Sequence, residues 1–520
     1  MLIASSIGKH CVLSLCTACA ISVVAQSDLQ GEPQKSGLSV EMAGTRLAYI
    51  AHNGKPLLAF GCHLEHMFFD DYDYEHWTKW AVAHGMNHCR TRLYHAYYRK
   101  YSPFVKTEDG RYDLTTWDES FWKRFHKICS HLQANGIIVH MLIWPQGSGG
   151  HWWQGDAYYL PKNNVHPETA FIRPKKSTAG FWQSLSKGKR GLYEIQTAIL
   201  WKLIEESADY DNIYYDICHE PFIHAMKPNA REDLREFLSE TTRRFIEEYR
   251  KRRPDKMPLL GLDTDFTPPG DTRDWIYGHD RFGLMIQGKN HDPFYITASE
   301  SIELIKKFKK PFCPQESLDL PGIFHIPDVK HKNSLTYFEP RSRNHLRKYV
   351  WRWIMAKSQL IDIYQKGLSK KVAERERYEP YGHNDFEDDA LIIRDFWDHL
   401  VDYPNLDFRG VVSRGPGNVQ MVLSSQKEAV VYLSSKPGID GRQFSAQEAR
   451  LEDLILKGGR YKVEFWKPAA PGGIFKKDSC RIADGKATVE LPNFVDDLVV
   501  HIFDRRQLRS LNGKLMGQKK

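Results

Sequence analysis

Two glutamates stand at the ends of strand-like segments, where a carboxylate can face whatever lies beyond a sheet. Glu220 lies in the segment "YYDICHEPF", and Glu316 lies in the segment "PFCPQES". Pro221 ends the first segment, because proline lacks the N–H group that a sheet requires. Two carboxylates across a cleft can hydrolyse a glycosidic bond, since one protonates the leaving oxygen while the other attacks the sugar or activates water. A salt bridge to arginine is the alternative for either glutamate alone.

The segments that would position these glutamates alternate between short apolar strands and amphipathic helices from about residue 56 onward. The eight predicted strands are "PLLAFGC", "NHCRTRLY", "IIVHMLIW", "IYYDIC", "PLLGLD", "FGLMIQG", "PFCPQ" and "QLIDIYQ". Alternation with helices implies parallel strands, and eight of them predict a (β/α)8 barrel of the α/β class. Glu220 would follow the fourth strand and Glu316 the seventh, on opposite sides of one barrel mouth. A doubly wound open sheet is the alternative, but no GxGxxG motif follows the first strand.

The sequence pattern changes after Pro404, where segments such as "NVQMVLSS", "EAVVYLSS" and "LVVHIF" are short and alternate in polarity. This pattern predicts antiparallel strands at the spacing of a β-sandwich. We therefore divide the chain into a signal peptide (1–25), a barrel (45–402), an all-β sandwich (403–505) and a basic tail (506–520).

The amino terminus has the pattern of an export signal. Lys9 and His10 precede an apolar run, and small residues end it at Ala25. The run is too short to span a bilayer, and no later segment predicts a membrane span. We expect a secreted or periplasmic protein, and cleavage before Cys19 as a lipoprotein is the alternative.

The composition argues against several classes of function. The net charge of +8 comes from both signs without a basic stripe, so nucleic-acid binding is not expected. His63 and His66 lack a clear third ligand, so we expect neither a metal nor any other cofactor. The cysteines outside the signal are scattered without a CxxC pair, which predicts buried free thiols rather than disulfides. They are Cys62, Cys89, Cys129, Cys218, Cys313 and Cys480.

The barrel resembles glycoside hydrolase clan A, the retaining (β/α)8 enzymes that include the family 5 cellulases and mannanases. "GMNHCR" is similar to the clan's G-x-N-x-x-R, and "CHEP" occupies the place of its N-E-P. "HDPFYIT" resembles the run after the sixth strand, and "PQES" resembles the nucleophile strand. The resemblance covers about residues 45–400.

The resemblance implies a role for each matching residue. Glu220 would be the general acid/base and Glu316 the nucleophile, with carboxyl groups roughly 5–5.5 Å apart. Arg90 would keep Glu316 ionised, because a nearby cation lowers the pKa of a carboxyl group. Arg92 shares its strand face and could replace it, while a structural ion pair is the alternative for either arginine.

Further residues would contact the sugar. His219 replaces the clan's usual asparagine beside the acid/base, so it would meet the 2-hydroxyl with a different reach. His291 would orient the nucleophile, and Tyr295 belongs to the same motif. Three tryptophans at and after the third strand would either stack on sugar rings or pack the following loop onto the barrel. These are Trp144, Trp152 and Trp153.

The carboxy-terminal segment "YKVEFWKPAAPGG" resembles the immunoglobulin-like module appended to many such barrels and sometimes labelled collagen-binding. We expect it to support the barrel. Taken together, the sequence predicts a secreted retaining glycosidase whose partner is a β-linked poly- or oligosaccharide. An inactive carbohydrate-binding protein is one alternative, and a metal-dependent hydrolase using His63, His66 and Glu220 is another. The sugar, the linkage and the oligomeric state do not follow from the sequence.

Overall fold

Strands and helices alternate along most of the chain in the computed structural model. The strands, in chain order, are β1 Leu38–Met42, β2 Ala48–His52, β3 Lys55–Pro56, β4 Ala59–His63, β5 His88–Arg92, β6 Phe104–Lys106, β7 Tyr112–Trp117, β8 Ile138–Trp144, β9 Ile213–Cys218, β10 Leu260–Gly261, β11 Met285–Gln287, β12 Phe312–Pro314, β13 Leu360–Ile363, β14 Asp407–Ser413, β15 Asn418–Ser424, β16 Glu428–Ser435, β17 Gln443–Phe444, β18 Gln447–Leu451, β19 Gly459–Lys467, β20 Gly473–Ile482, β21 Ala487–Leu491, β22 Phe494–Val495 and β23 Asp497–Phe503. The helices are α1 Tyr74–Ala83, α2 Glu119–Ala134, α3 Ala179–Trp182, α4 Arg190–Ser207, α5 Pro228–Arg252, α6 Asp271–Gly278, α7 Ala298–Phe308, α8 Arg343–Met355 and α9 Phe386–His399.

The structure describes most of the chain after the predicted signal peptide. The described residues are 37–44, 47–64, 67–68, 72–93, 102–144, 157–158, 163–172, 179–218, 221, 228–263, 271–287, 298–314, 343–363, 386–400, 402–413, 418–435 and 441–504. None of the helices in these ranges is long and apolar enough to cross a membrane.

All eight predicted barrel strands are present, and they are parallel. Six of them form one sheet in the order β10-β9-β8-β5-β4-β13, and β11 pairs with β12. A parallel bridge from Asp263 to Ile286 connects the two groups, and β12 lies beside β13. The predicted α/β class is confirmed, and these contacts favour a sheet that curls toward closure.

Helix α2 illustrates how the sequence pattern produces the layer outside the sheet. Asp118 caps its first turn by accepting hydrogen bonds from the N–H groups of Ser120 and Phe121. The helix ends before Gly136, whose φ of +69° is a conformation that glycine adopts without strain. The buried side chains recur every three or four residues and form one face, as an amphipathic helix requires. They are Phe121, Trp122, Phe125, Ile128, Cys129 and Leu132.

An antiparallel ribbon of β1, β2 and β3 covers the amino end of the parallel sheet. Leu38 and Ile50 pack in one cluster with residues of the parallel strands, including Leu360. The Gln359 side chain accepts from the Ile50 N–H at 2.7 Å and donates to the Ile50 carbonyl at 2.9 Å. Gln359 directly precedes β13, so the ribbon blocks the end of the sheet opposite the carboxyl ends of its strands. The sequence analysis did not predict this ribbon.

The carboxy-terminal part is built from strands, as predicted. Six of them form an antiparallel sheet in the order β14-β15-β16-β23-β19-β20. Alternate residues face opposite sides, so Tyr432 and Trp466 pack toward α8 and α9, while Val431 and Phe465 belong to a second core. Strands β14, β18 and β20 and helix α6 were not predicted. The assignment to the immunoglobulin-like family stays a prediction.

A buried ionic contact joins this antiparallel sheet to α8 and α9. The guanidinium of Arg347 lies 2.9 Å from a carboxylate oxygen of Asp497 and 3.1 Å from one of Asp389. Tyr432 donates a further hydrogen bond to Asp497. All of these side chains are shielded from water, and residues 36–520 form one compact unit. The two parts should therefore unfold together.

We predict that Arg347→Met destabilises the protein by about 3–5 kcal/mol, because two buried carboxylates lose their shared cation. The free energy of unfolding in urea measures this effect. Arg243→Met is the matched control, since Arg243 pairs with Glu240 and Glu247 on an exposed helix face. The control should cost about 1 kcal/mol or less. Equal losses in the two variants would contradict the proposed importance of the buried contact.

A second prediction concerns Lys357, which is buried just after α8. Its ammonium group donates to the carbonyl of Tyr403 and lies 3.7 Å from the centre of that tyrosine ring. Burial lowers the pKa of Lys357 from 10.5 to about 7, and the charges of Asp407, Asp402 and Glu428 only partly oppose this shift. The unfolded chain therefore holds this proton at pH values where the folded chain has lost it.

The contribution of Lys357 to stability should accordingly rise with pH from about 7 to about 10.5 and be least favourable below pH 7. Lys357→Met should be more stable than the wild type below this range, by on the order of a few kcal/mol. This advantage should shrink as the pH rises. Urea unfolding of both proteins across the range measures the difference, and parallel stability curves would refute the prediction.

Candidate active site

The two predicted catalytic glutamates follow the described ends of two parallel strands. Strand β9 ends at Cys218, two residues before Glu220, and β12 ends at Pro314, two residues before Glu316. The glutamates lie outside the described residues, so their separation and roles stay predictions. The same holds for five predicted sugar-binding residues: Trp152, Trp153, His219, His291 and Tyr295.

Arg90 is the centre of a buried ionic cluster on the inner side of the parallel sheet. Its Nη2 atom lies 3.2 Å from Oδ2 of Asp263, and its Nη1 atom lies 3.8 Å from Oδ2 of Asp362. None of the three side chains is exposed to solvent. Arg90 therefore makes the structural ion pairs that were the alternative for it, whether or not it also serves Glu316.

The positions of the two aspartates show that the sheet is strongly curved. Asp362 belongs to β13 at one edge of the six-stranded sheet, and Asp263 follows β10 at the other edge. In a flat sheet these edges would be roughly 24 Å apart, given a strand spacing of about 4.8 Å. One guanidinium contacts both carboxylates, so the sheet must curl until its edges approach each other.

Asp216 on β9 is a third buried acid next to this cluster. Its Oδ1 atom accepts from the backbone N–H groups of Cys218 and Asp263, both at 3.3 Å. Its Oδ2 atom lies 3.5 Å from Nε2 of His140. Burial, together with the negative charge of Asp263, raises the pKa of Asp216 well above its usual range. Asp216 is therefore a neutral acid near pH 7.

Two histidines and a tyrosine complete the inner layer. Nε2 of His88 lies 3.0 Å from the hydroxyl of Tyr214, and the ring of His140 stacks on Tyr214 with centroids 4.5 Å apart. Burial and the charge of Arg90 lower the pKa of His88 to about 3, so this imidazole is neutral. The layer is thus a dry, polar floor beneath the carboxyl ends of the strands.

The close approach of neighbouring strands in this layer requires a glycine. A Cβ atom on Gly61 of β4 would lie 1.9 Å from the carbonyl oxygen of His88 on β5, which is far inside van der Waals contact. Any side chain at this position would push the first two parallel strands apart. The missing side chain lets the inner layer pack around Arg90.

The sequence analysis missed the acids of this layer, although a signal for them was present. A single aspartate interrupts each of three otherwise apolar strand segments, "IYYDIC", "PLLGLD" and "QLIDIYQ". A charged residue inside an apolar strand is costly unless it is paired. The three aspartates could have been proposed as partners of Arg90 for that reason.

The remaining described site residues are Arg92 and Trp144. Arg92 is the last residue of β5 and is 7% exposed, and its predicted role stays a prediction. Trp144 is fully buried, with its ring centre 5.6 Å from that of Phe181 and 5.6 Å from that of Phe237. Of the two alternatives for Trp144, the packing role is the correct one, because its ring has no exposed face for a sugar.

The predicted state of the cysteines is confirmed. All six outside the signal are free and buried. Burial raises the pKa of Cys89 and of Cys313 well above the usual range, so neither is a reactive thiolate. Among the described residues, no group of three or more histidine, cysteine or acidic side chains could hold a metal ion.

A surface cavity of about 870 Å³ opens between the short 3₁₀ helix Pro167–Phe171 and the start of α4. Its lining includes Phe171, Gln183 and Lys189. None of the predicted site residues lines it.

Comparison with known proteins gives a likeness in fold. No family model matches the chain, and no curated protein matches it in sequence. A solved structure described as "a putative glycoside hydrolase from Bacteroides vulgatus ATCC 8482" superposes with a TM-score of 0.57 at 12% identity, over 90% of this chain and 82% of that chain. At this identity the likeness bears on the fold alone.

Two further structures are more distant. The family 30 subfamily 8 xylanase Xyn30A from Clostridium acetobutylicum has a TM-score of 0.44 at 10% identity, over 90% of this chain and 97% of that chain. Endo-glycoceramidase II from Rhodococcus sp. has a TM-score of 0.40 at 12% identity, over 89% of this chain and 99% of that chain. Neither carries an argument at these scores. The chain thus shares its overall fold with a protein described as a glycoside hydrolase.

Proposed function

We propose that this protein is a retaining glycoside hydrolase that cleaves β-linked bonds in a poly- or oligosaccharide. One observation carries the proposal: Glu220 and Glu316 each follow by two residues the described end of a parallel strand, the fourth and the seventh in chain order. The carboxyl ends of parallel strands meet at one edge of a sheet, where enzymes of this architecture place their active sites.

The curvature of the sheet supports the pairing of these two positions. Strands four and seven are well separated in a flat sheet, but they face each other across the mouth of a closed barrel. Arg90 contacts carboxylates from both edges of the six-stranded sheet, which favours such closure. The amino-terminal ribbon covers the other end, so a polysaccharide would approach from the side of the glutamates.

In the proposed reaction, Glu220 is protonated and donates its proton to the glycosidic oxygen, while Glu316 attacks the anomeric carbon. The resulting glycosyl-enzyme is hydrolysed by a water molecule that Glu220 deprotonates. The two carboxyl groups must therefore differ in pKa, with that of Glu220 the higher. His219 would meet the 2-hydroxyl of the sugar, and His291 and Tyr295 would line the same mouth.

Finer assignments belong to the same proposal. They are membership of the family 5 type within clan A, export directed by residues 1–25, and an immunoglobulin-like fold for residues 403–505. The alternative of an inactive carbohydrate-binding protein has no feature of the described residues in its favour. Activity measurements separate the two directly.

We predict that Glu220→Ala slows hydrolysis of substrates with poor leaving groups by about 10²–10⁴-fold, because no acid protonates the departing oxygen. Activated aryl β-glycosides should still react in the first step, and azide should restore turnover by attacking the glycosyl-enzyme. Glu316→Ala should abolish turnover on both substrate types, because no covalent intermediate forms. Initial rates on aryl β-glycosides and on plant and algal polysaccharides measure these effects.

Glu303→Ala is the control, because Glu303 is exposed on α7 and pairs only with Lys306 among the described residues. Its rates should equal those of the wild type. Equal losses on every substrate for the Glu220 and Glu316 variants, without azide rescue, would contradict their separate roles. Binding of a polysaccharide by a wild type that hydrolyses none would favour the binding-protein alternative.

A further inference from the structure

The cluster around Arg90 contains more negative charge than one cation balances. Arg90 is paired with Asp263 and with Asp362, and all three are fully buried. Asp216 does not add to this charge, because its burial keeps it protonated. One guanidinium and two carboxylates therefore leave the cluster with one net negative charge in a region without water.

The cluster lies close, along the strands, to the predicted nucleophile. Asp263 forms a parallel bridge with Ile286, and Ile286 in turn pairs with Cys313 on β12. Glu316 follows Cys313 by three residues in the sequence. Electrostatic interactions in the dry interior are weakly screened, so the charges of the cluster reach this level of the barrel.

We propose that Asp263 and Asp362 are positioning residues, which hold the guanidinium of Arg90 between the two edges of the sheet and moderate its effect on the ionisation of Glu316. This inference rests on the proposed function for its catalytic part. Arg90 on its own would strongly favour the carboxylate of Glu316. Because two carboxylates share that guanidinium, part of its field is cancelled, and its direction is fixed by both of them.

The other groups that face the guanidinium do not replace this control. His88 is neutral because burial and Arg90 lower its pKa to about 3. Tyr214 keeps its proton because burial raises its pKa well above the usual range. His140 contacts Asp216 and Tyr214. Among the described residues around Arg90, the ionised partners are thus the carboxylates of β13 and of the segment after β10.

Two substitutions of Asp263 separate its charge from its position. Asp263→Asn keeps the shape and removes the charge, whereas Asp263→Glu keeps the charge and moves it by one methylene group. The measurements are the pH dependence of kcat/KM on an activated aryl β-glycoside and the crystal structure of each variant. Asp274→Asn is the control, because Asp274 pairs with Lys307 at 2.8 Å on the exposed surface.

For Asp263→Asn we expect the acid limb of the kcat/KM profile to move to lower pH by about one unit. Removal of a nearby negative charge makes the carboxylate of Glu316 easier to form, so activity persists at lower pH. The guanidinium of Arg90 should turn away from residue 263 in the crystal structure. For Asp263→Glu we expect a displaced guanidinium and a lower kcat with the acid limb unchanged. The control should leave all three quantities unchanged.

An unchanged acid limb in Asp263→Asn would overturn the electrostatic part of the proposal, and an unmoved guanidinium would overturn the positioning part. If Asp263→Asn does not fold, Asp362→Asn provides the same two measurements with the same expected signs. A wild type that is inactive on every glycoside would refute the proposed function. The position of Arg90 in the variant crystal structures would still decide whether the aspartates hold it.

Discussion

The contact of one guanidinium with carboxylates from both edges of a six-stranded sheet is the constraint on which the parallel part of the structure depends. Arg90 on β5 reaches Asp362 on β13 and Asp263 beyond β10, so those edges cannot remain apart. A buried arginine without partners would cost several kcal/mol, and so would either aspartate. The curled sheet is therefore the arrangement in which these charges are satisfied together.

Several other features make sense as conditions for that buried cluster. Gly61 lets β4 and β5 approach closely, and the amino-terminal ribbon seals the end of the sheet near Gln359. Outside the sheet, aromatic residues of the helices cover the strands, as Phe237 covers Trp144. Water is excluded from three directions, which strengthens the pairing inside and leaves the carboxyl ends of the strands as the side for chemistry.

A second buried arginine plays a similar part at the junction with the antiparallel sheet. Arg347 on α8 joins Asp389 on α9 to Asp497 on β23. Helix α8 lies between the seventh and eighth parallel strands in the chain, so the antiparallel sheet braces the segment that leads out of the predicted nucleophile strand. This placement gives the carboxy-terminal part a supporting role that needs no binding activity of its own.

The sequence by itself determined the parallel strands, most of the helices and the burial of the cysteines, because apolar periodicity and helix caps act over a few neighbouring residues. It also singled out Arg90 and the positions of Glu220 and Glu316 at strand ends. Only the tertiary structure decided that Arg90 is shared by Asp263 and Asp362, since these residues are 173 and 272 positions away along the chain. It also decided between stacking and packing for Trp144, because an exposed or a buried ring depends on distant neighbours such as Phe237. Pairings of this range follow from the curvature of the whole sheet, which no local pattern contains.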